Sequence, residues 1–373
     1  MNFTIKLKLV LASGKKMDFL VKDALQNMAE DDMDKYEVGQ ARMTVVGCGG
    51  AGQNMVDWLY SKGINGAEIV AVNTDLQDLK LKNADKKILV GKEVTRGLGA
   101  GGDPSKGEEA AKESAAEIKE AIQGSDMVFI CAGMGGGTGT GVASIVAKIA
   151  KDMGAIVIGV TTMPFSIERA RIDKAEFGLQ KLRGVADTVI VIDNNRLVKI
   201  AGNLPVKQAF AVANELISVT IKGIVEIIST PSLVNLDFAD VKAIMSSGGV
   251  STVGMGTSDT NRRVEEAVDE ALSNPLLDIN YEGATGALIH ITGGEDMTLE
   301  EIDSAGQLIT RSLHADANVI WGARVDESHS KRVTVMTILT GVQSSHILGN
   351  ETKEERVEST GKVSEDLGIK TVY

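Results

Sequence analysis

Gly135-Gly136-Gly137-Thr138-Gly139-Thr140-Gly141 comes almost immediately after the apolar run Met127-Val-Phe-Ile-Cys-Ala132. So much glycine in one short stretch costs backbone entropy, and it is sustained where the chain must take φ > 0 or let a ligand approach its amides closely. The next stretch, Val142-Ala-Ser-Ile-Val-Ala-Lys-Ile-Ala150, is apolar at helical spacing. The glycine run therefore opens a helix, and the N–H groups at a helix N-terminus attract anions. Strand, glycine turn and helix in that order predict a phosphate cradle, with the threonine hydroxyls as further donors.

Outward from this run the same order recurs from Arg42 onward, with apolar strands at Met43–Val46, Glu68–Val72, Lys87–Val90, Met127–Ala132, Ala155–Val160 and Thr188–Ile192. Apolar strands alternating with helices predict an α/β fold with a Rossmann-type parallel sheet covered on both faces. Such sheets bind ligands at the carboxyl ends of their strands. Leu204–Thr230 is the longest helical candidate, with Phe210, Ala213, Ile217, Ile221, Ile224 and Ile228 three or four apart, Pro205 in its first turn and Pro231 as its stop. It predicts a central helix roughly 35–40 Å long. A second, smaller α/β unit follows from about Asn235 to Val342, with strands near Ala287–Ile291, Asn318–Trp321 and Arg332–Ile338. Residues 1–40 read as an N-terminal extension with a helix carrying Phe19, Leu20, Ala24, Leu25 and Met28. From Ser344 the chain is polar and charged, then closes on the apolar peptide Leu367-Gly-Ile-Lys-Thr-Val-Tyr373, which reads as a flexible tail with a small terminal motif.

Composition narrows the class. With 373 residues, 43% apolar and 24% charged, the chain is long enough for two ordinary globular domains. Its 39 basic against 51 acidic residues give a net charge of −12, which argues against nucleic acid or an anionic membrane as main partner. A polyanionic ligand then needs local donors and a Mg²⁺. The two cysteines, Cys48 and Cys131, sit at the ends of apolar strands and read as reduced, buried thiols of a cytoplasmic protein. Lys6 and Lys8 break the N-terminal apolar run, so neither a signal peptide nor a spanning helix is expected. The four histidines have no ligand-like spacing, and no transition-metal site is expected.

Other strand-end loops carry the chemistry. Gly47-Cys-Gly49-Gly50-Ala51-Gly52-Gln53-Asn54 satisfies G-x-G-x-x-G, and Asp75 lies about 20 residues on, as a nicotinamide dehydrogenase requires. It fits other phosphate-binding turns equally well. Gly97-Leu-Gly99-Ala-Gly101-Gly102-Asp103-Pro104 adds another glycine cradle, unless it is only a surface connection. Several cradles together suggest a chain of phosphates met by backbone amides, and no P-loop signature occurs. Asn73-Thr74-Asp75 and Thr161-Thr162-Met163-Pro164-Phe165 either line the same cleft or are polar strand ends. Glu168 and Arg171 either face a ligand or pair with each other on a helix surface. Asn194 and Asn195 offer amides to a base edge, and Phe210 and Asn214, at i and i+4, could meet one ring, with core packing the alternative for Phe210. Asn235-Leu-Asp237-Phe-Ala-Asp240 reads either as a water-orienting constellation or as a helix start with Asp237 as N-cap. These side chains cannot reach a nucleotide over the first domain of their own chain, about a helix length away. They can reach that of the next chain.

With these loops in hand, the chain resembles the tubulin/FtsZ family, prokaryotic tubulin homologues among them. GGGTGTG is similar to the tubulin signature and NLDFAD to the synergy loop, and VGCGGAGQN, VNTD, GLGAGGDP, TTMPF, IDNNRL and AVANE follow the family's order over about Arg42 to Gly341. IDNNRL is similar to archaeal members. The segment between Phe165 and Arg171 is one residue shorter than in many bacterial members, the N-terminal extension longer and the tail shorter.

The resemblance implies residues 1–40 as extension, 41–203 as GTP-binding domain, 204–230 as central helix, 231–343 as C-terminal domain with the synergy loop, and 344–373 as tail. It implies GTP/GDP and Mg²⁺ as ligands, held by Gly49, Gly50, Ala51, Gly52, Gln53, Asn54, Asp75, Gly101, Gly102, Gly135, Gly136, Gly137, Thr138, Gly139 and Thr140. Glu168 and Arg171 would meet the ribose and phosphates, and Asn194, Phe210 and Asn214 the guanine. In trans, Asn235, Asp237 and Asp240 would set water against the neighbour's γ-phosphate. The implied protein is a cytoplasmic GTPase that stacks head to tail into the division ring, with adaptor proteins meeting residues 367–373, no nucleic acid bound and no direct membrane insertion. Two other readings stay open on the residues: a non-hydrolysing scaffold, and a nicotinamide oxidoreductase resting on the first glycine loop and Asp75.

Overall fold

The six residues of β1 (Met43–Cys48) are buried without exception. A strand at the centre of a sheet covered on both faces has no solvent side and reads as an unbroken apolar run. The structure, a computed structural model, describes residues 41–230, 232–234, 237–245, 250–273, 279–281, 283–311 and 313–344. The helix expected within residues 1–40 and the peptide 367–373 lie outside the described residues.

From β1 the chain continues through α1 (Gly49–Lys62), β2 (Ala67–Asn73), α2 (Leu76–Lys80), β3 (Lys86–Leu89), α3 (Lys92–Thr95), α4 (Pro104–Glu113), α5 (Ala115–Ala121), β4 (Met127–Gly133), α6 (Thr138–Asp152), β5 (Ile156–Met163), α7 (Ala170–Arg183), β6 (Thr188–Asp193) and α8 (Asn194–Ala201). These strands lie parallel in the order β3-β2-β1-β4-β5-β6. Chain direction across the sheet reverses between β1 and β4, and the crevice at that switch point is where open α/β sheets take ligands. Alternate residues feed two cores. Val45 and Phe129 pack with Val56 and Leu59 of α1, while Val46 and Ile130 pack with Val142 and Val146 of α6 and Leu182 of α7.

The long helix α9 (Val206–Ser229) has 24 residues, about 36 Å of rise, with Pro205 as its N-cap rather than within its first turn. Its Ile217, Ile221 and Ile224 share one core with Phe129 and Ile158 of the first half and with Val253, Leu288 and Met336 of the second.

Beyond it come α10 (Phe238–Met245), β7 (Val250–Ser258), α11 (Arg263–Leu272), β8 (Ile279–Asn280), β9 (Gly286–Gly293), α12 (Leu299–Thr310), β10 (Asn318–Val325) and β11 (Val333–Ser344). This half is mixed: β11 runs antiparallel to β7 and β9, and β10 parallel to β9. One residue pair, Val189 with Val250, joins β6 to β7 and makes the two halves a single sheet.

β7 was not among the expected strands. Its Gly254 and Gly256 lower strand propensity, and the structure shows why they are glycine. A Cβ on Gly254 would stand 1.7 Å from the Ala271 carbonyl oxygen and one on Gly256 2.0 Å from that of Ala267, so α11 lies directly on the strand backbone.

Candidate functional site: a glycine-walled cavity at the switch point

The loops at the carboxyl ends of β1, β4, β5 and β6 enclose a cavity of about 400 Å³. Gly50, Ala51, Gly136, Gly137, Thr138, Gly139, Glu168, Arg171, Asn194 and Phe210 line it, as expected from the sequence reading. Thr162, Pro164 and Phe165 line it too, and Phe165 meets Phe210 edge to face, with ring centroids 6.0 Å apart. Phe210 is thus an exposed wall of the site and not core. Cys48, Gly133 and Met134 were not anticipated. Cys48 and Gly133 are the last residues of the two strands flanking the switch point, and that position alone could have identified them.

Helices α1 and α6 begin at this cavity. Four other helices are capped by side chains, Asp75 on α2, Asp103 on α4, Asp193 on α8 and Thr298 on α12, whereas α3, α5, α7, α9 and α11 start without one. At α1 and α6 the N-caps are Cys48 and Gly137, and neither gives a side-chain hydrogen bond. The first-turn amides of both helices are left for an external acceptor, and the helix dipoles favour an anion there.

The glycines divide by what surrounds them. A Cβ on Gly136 would have no heavy atom within 4 Å. One on Gly139 would come 2.7 Å from the Gly133 carbonyl oxygen and one on Gly52 2.2 Å from that of Cys131, so these two let helices ride on the sheet. Gly49 (φ 69°) likewise closes against Gly139, whose N would stand 2.6 Å from a Cβ there. Gly135, at φ 94°, packs against the Arg171 backbone.

Several expected site residues are placed around the cavity rather than on its wall. Gly49, Gly52 and Gly135 shape its backbone. Thr140 is buried and its hydroxyl accepts from the Gly135 N–H at 2.9 Å, while the Thr138 hydroxyl pairs with that of Thr74 at 2.6 Å. Both threonine hydroxyls therefore brace the loop. Gln53 is fully buried, its Oε1 accepting from Asn73 Nδ2 at 2.7 Å and its Nε2 without a partner among the described residues. Asn54 is exposed on α1, and Asn214 is half-buried one turn beyond Phe210. Asp75 Oδ1 accepts from the Gln77 and Asp78 N–H groups, so this carboxylate caps α2.

The 97–104 loop is held to the rest of the site. The Gly99 N–H donates to the Thr74 carbonyl at 3.1 Å, and a Cβ on Gly137 would stand 2.8 Å from Asp103 N. Gly101 and Gly102 form its open tip, at φ 61° and 76°.

Glu168 and Arg171 realise both readings: they line the cavity and pair at 2.7 Å. The Glu168 carboxylate also accepts from the Phe165 N–H at 3.0 Å, fixing the turn before α7. Asn195 accepts from the Ser166 N–H and hydroxyl, and Asn194 is on the wall. Both cysteines are free and buried, and burial pushes the Cys131 thiol up to about 12 and raises that of Cys48, so neither is a thiolate nucleophile.

At the far end of α9, Asp240 N–H donates to Asp237 Oδ1 at 2.8 Å and Asp237 N–H to Asp240 Oδ2 at 3.3 Å, a reciprocal cap at the start of α10. The helix-cap reading is therefore realised, with Asp237 exposed and Asp240 half-buried. Asn235 lies outside the described residues. Val234 is bridged to Ala323 of β10, which ties this loop to the second half of the sheet. Roughly 30 Å of helix separates Phe210 from the end of α9.

A family model described as the GTPase domain of the Tubulin/FtsZ family matches residues 42–202, and one described as the C-terminal domain of the FtsZ family matches residues 249–343. The chain is 54% identical over 341 residues to "Cell division protein FtsZ 2" of Methanocaldococcus jannaschii, covering 91% of this chain and 90% of that one. It is 51% identical over 367 residues to "Cell division protein FtsZ 2" of Halobacterium salinarum, covering 94% and 93%. A solved structure described as an empty FtsZ dimer from M. jannaschii is similar with a TM-score of 0.76 at 50% identity, covering 86% of this chain and 91% of that one.

Proposed function

Because the chain belongs to the tubulin/FtsZ family and is a GTPase of it, we propose that it holds GTP in the switch-point cavity and hydrolyses it where one subunit of a head-to-tail protofilament meets the next. The observation that carries this is the pair of uncapped helix N-termini, α1 and α6, facing one cavity while the paired aspartates lie beyond the other end of α9.

In this reading the guanine lies against Phe210 and Phe165, with Asn194 and Asn214 toward its edge. Arg171, steered by Glu168, meets the ribose and phosphate side. The amides of Gly50, Ala51 and Gly136–Gly139 take the phosphates, and the Gly101–Gly102 tip closes the outer end. Gly49, Gly52, Gln53, Gly135 and Thr140 hold that backbone in place. Phosphoryl transfer to water needs an aligned water and neutralised oxygens more than covalent help. Asp237 and Asp240, already oriented by their mutual cap, supply the alignment in trans, and Asn235 is the third residue assigned to this role. Among the described residues no group of three or more His, Cys, Asp or Glu is arranged to hold a metal. A Mg²⁺ bound together with the nucleotide would supply neutralisation of the charge that develops on the phosphates.

The relatives named above are cell-division proteins and one is described as a dimer. We extend both properties to this chain: a self-assembling cytoplasmic protein that forms the ring at the division site, with adaptor proteins meeting residues 367–373. Among the described residues no helix is long and apolar enough to cross a membrane, which accords with tethering through such adaptors.

Asp240→Asn tests the trans carboxylate, since the amide keeps an acceptor for the Asp237 N–H. Nucleotide affinity should stay parental while GTP turnover falls by about 10² or more. Parental turnover in that variant would contradict the role.

A further inference from the structure

The cavity runs from the aromatic end at Phe165 and Phe210, past Glu168 and Arg171, to the glycines around Gly137. Directly behind Gly137 lies the 97–104 loop, because a Cβ there would stand 2.8 Å from Asp103 N and 2.9 Å from the Ala100 Cβ. On the GTP reading, a nucleotide whose base stacks at the aromatic end would carry its outermost phosphate toward this loop. Its tip is two successive left-handed residues, Gly101 at φ 61° and Gly102 at φ 76°. Neither N–H finds an acceptor among the described residues, and nothing packs on either within 4 Å of a would-be Cβ. Both amides are left to donate to an anion that reaches the tip.

One side chain from elsewhere in the chain reaches this tip. Lys174, on α7, donates from Nζ to the Gly102 carbonyl at 2.7 Å, across 72 residues of sequence. The same helix begins with Arg171 backed against Gly135, so α7 spans the cradle from its wall to its outer loop. In a chain of net charge −12, this ammonium answers a backbone carbonyl at the mouth of the cradle.

We propose that Lys174 is a positioning residue for the terminal phosphate: by holding the Gly102 carbonyl it keeps the Gly101 and Gly102 amides, and its own charge, at the position of the outermost phosphate, and so sets the preference for GTP over GDP. The inference rests on the reading of the cavity as a GTP site. GDP, ending one phosphate short, does not reach the loop.

The test measures binding of GDP and of a hydrolysis-resistant GTP analogue to the full chain, in the parental protein, Lys174→Met and Lys174→Arg. Lys174 is exposed, so its replacement leaves the core untouched. Lys174→Met should lose about tenfold in affinity for the triphosphate while GDP stays within about twofold, and Lys174→Arg should restore most of the loss. Equal losses for both nucleotides, or no loss for either, would overturn the inference while leaving the cavity reading intact. A parental chain that binds neither nucleotide would overturn both.

Discussion

A methyl group added at Gly52 and one added at Gly136 should do opposite things. At Gly52 it would come within 2.2 Å of the Cys131 carbonyl oxygen, forcing α1 off β4. Gly52→Ala is expected to cost about 1–3 kcal/mol of stability, read as a lowered Tm. At Gly136 it meets no protein atom within 4 Å but enters the cavity. Gly136→Ala should melt with the parental protein and bind GTP more weakly; parental affinity would remove Gly136 from the cradle. His290 on β9 gives a pH signature of a different kind. It is buried, its Nε2 has no partner among the described residues, and desolvation with the nearby Arg324 charge lowers its pKa from 6.5 to about 4. The unfolded chain takes up this proton first. Stability from the group is therefore complete above the unfolded value and is lost as pH falls from 6.5 toward about 4, by an amount on the order of a few kcal/mol. Urea titrations across that range should show the slope, and His290→Phe should flatten it; an unchanged slope in the variant would contradict the assignment.

Among the elements, β7 and its cover α11 make the sharpest prediction. Gly254→Ala places a methyl 1.7 Å from the Ala271 carbonyl oxygen, so α11 must lift, at a cost on the order of 3 kcal/mol. A parental urea midpoint would contradict that contact. The same strand shows where sequence reading runs out. The strands of the first half are continuous apolar runs because both faces are covered, and α9 shows a plain three-and-four periodicity, so both are legible one residue at a time. β7 carries glycines for the sake of a helix that packs on it, a cause that lies in tertiary contact. Asp75 is the converse case: its spacing from Gly47–Gly52 suits a dinucleotide site, and in the structure its Oδ1 caps the first turn of α2. The uncapped starts of α1 and α6 were readable as Cys48 and Gly137 where a capping side chain could stand. The bracing hydroxyls of Thr138 and Thr140 were not, since their partners are fixed only by the folded loops. Nothing in spacing alone assigned Asp237 and Asp240 to catalysis over capping.

For the whole molecule, one sheet and one long helix set the distance that governs function. α9 buries Ile217, Ile221 and Ile224 against both halves, which makes the cavity and the aspartate loop opposite ends of a rigid body. The bridge from Val234 to Ala323 fixes the loop to the second half. A body with a nucleotide bed at one end and acids at the other has a heterologous interface, and repetition of it yields a filament. On the proposed function hydrolysis belongs to the stacked pair, and loss of the γ-phosphate is expected to weaken the contact that produced the cleavage. The direct measurement is phosphate release per chain as a function of protein concentration, with GTP and Mg²⁺ in excess. The account predicts a negligible rate per chain in dilute, unassociated protein, rising steeply once light scattering reports assembly. A rate per chain that stays constant down to strictly monomeric protein would contradict it.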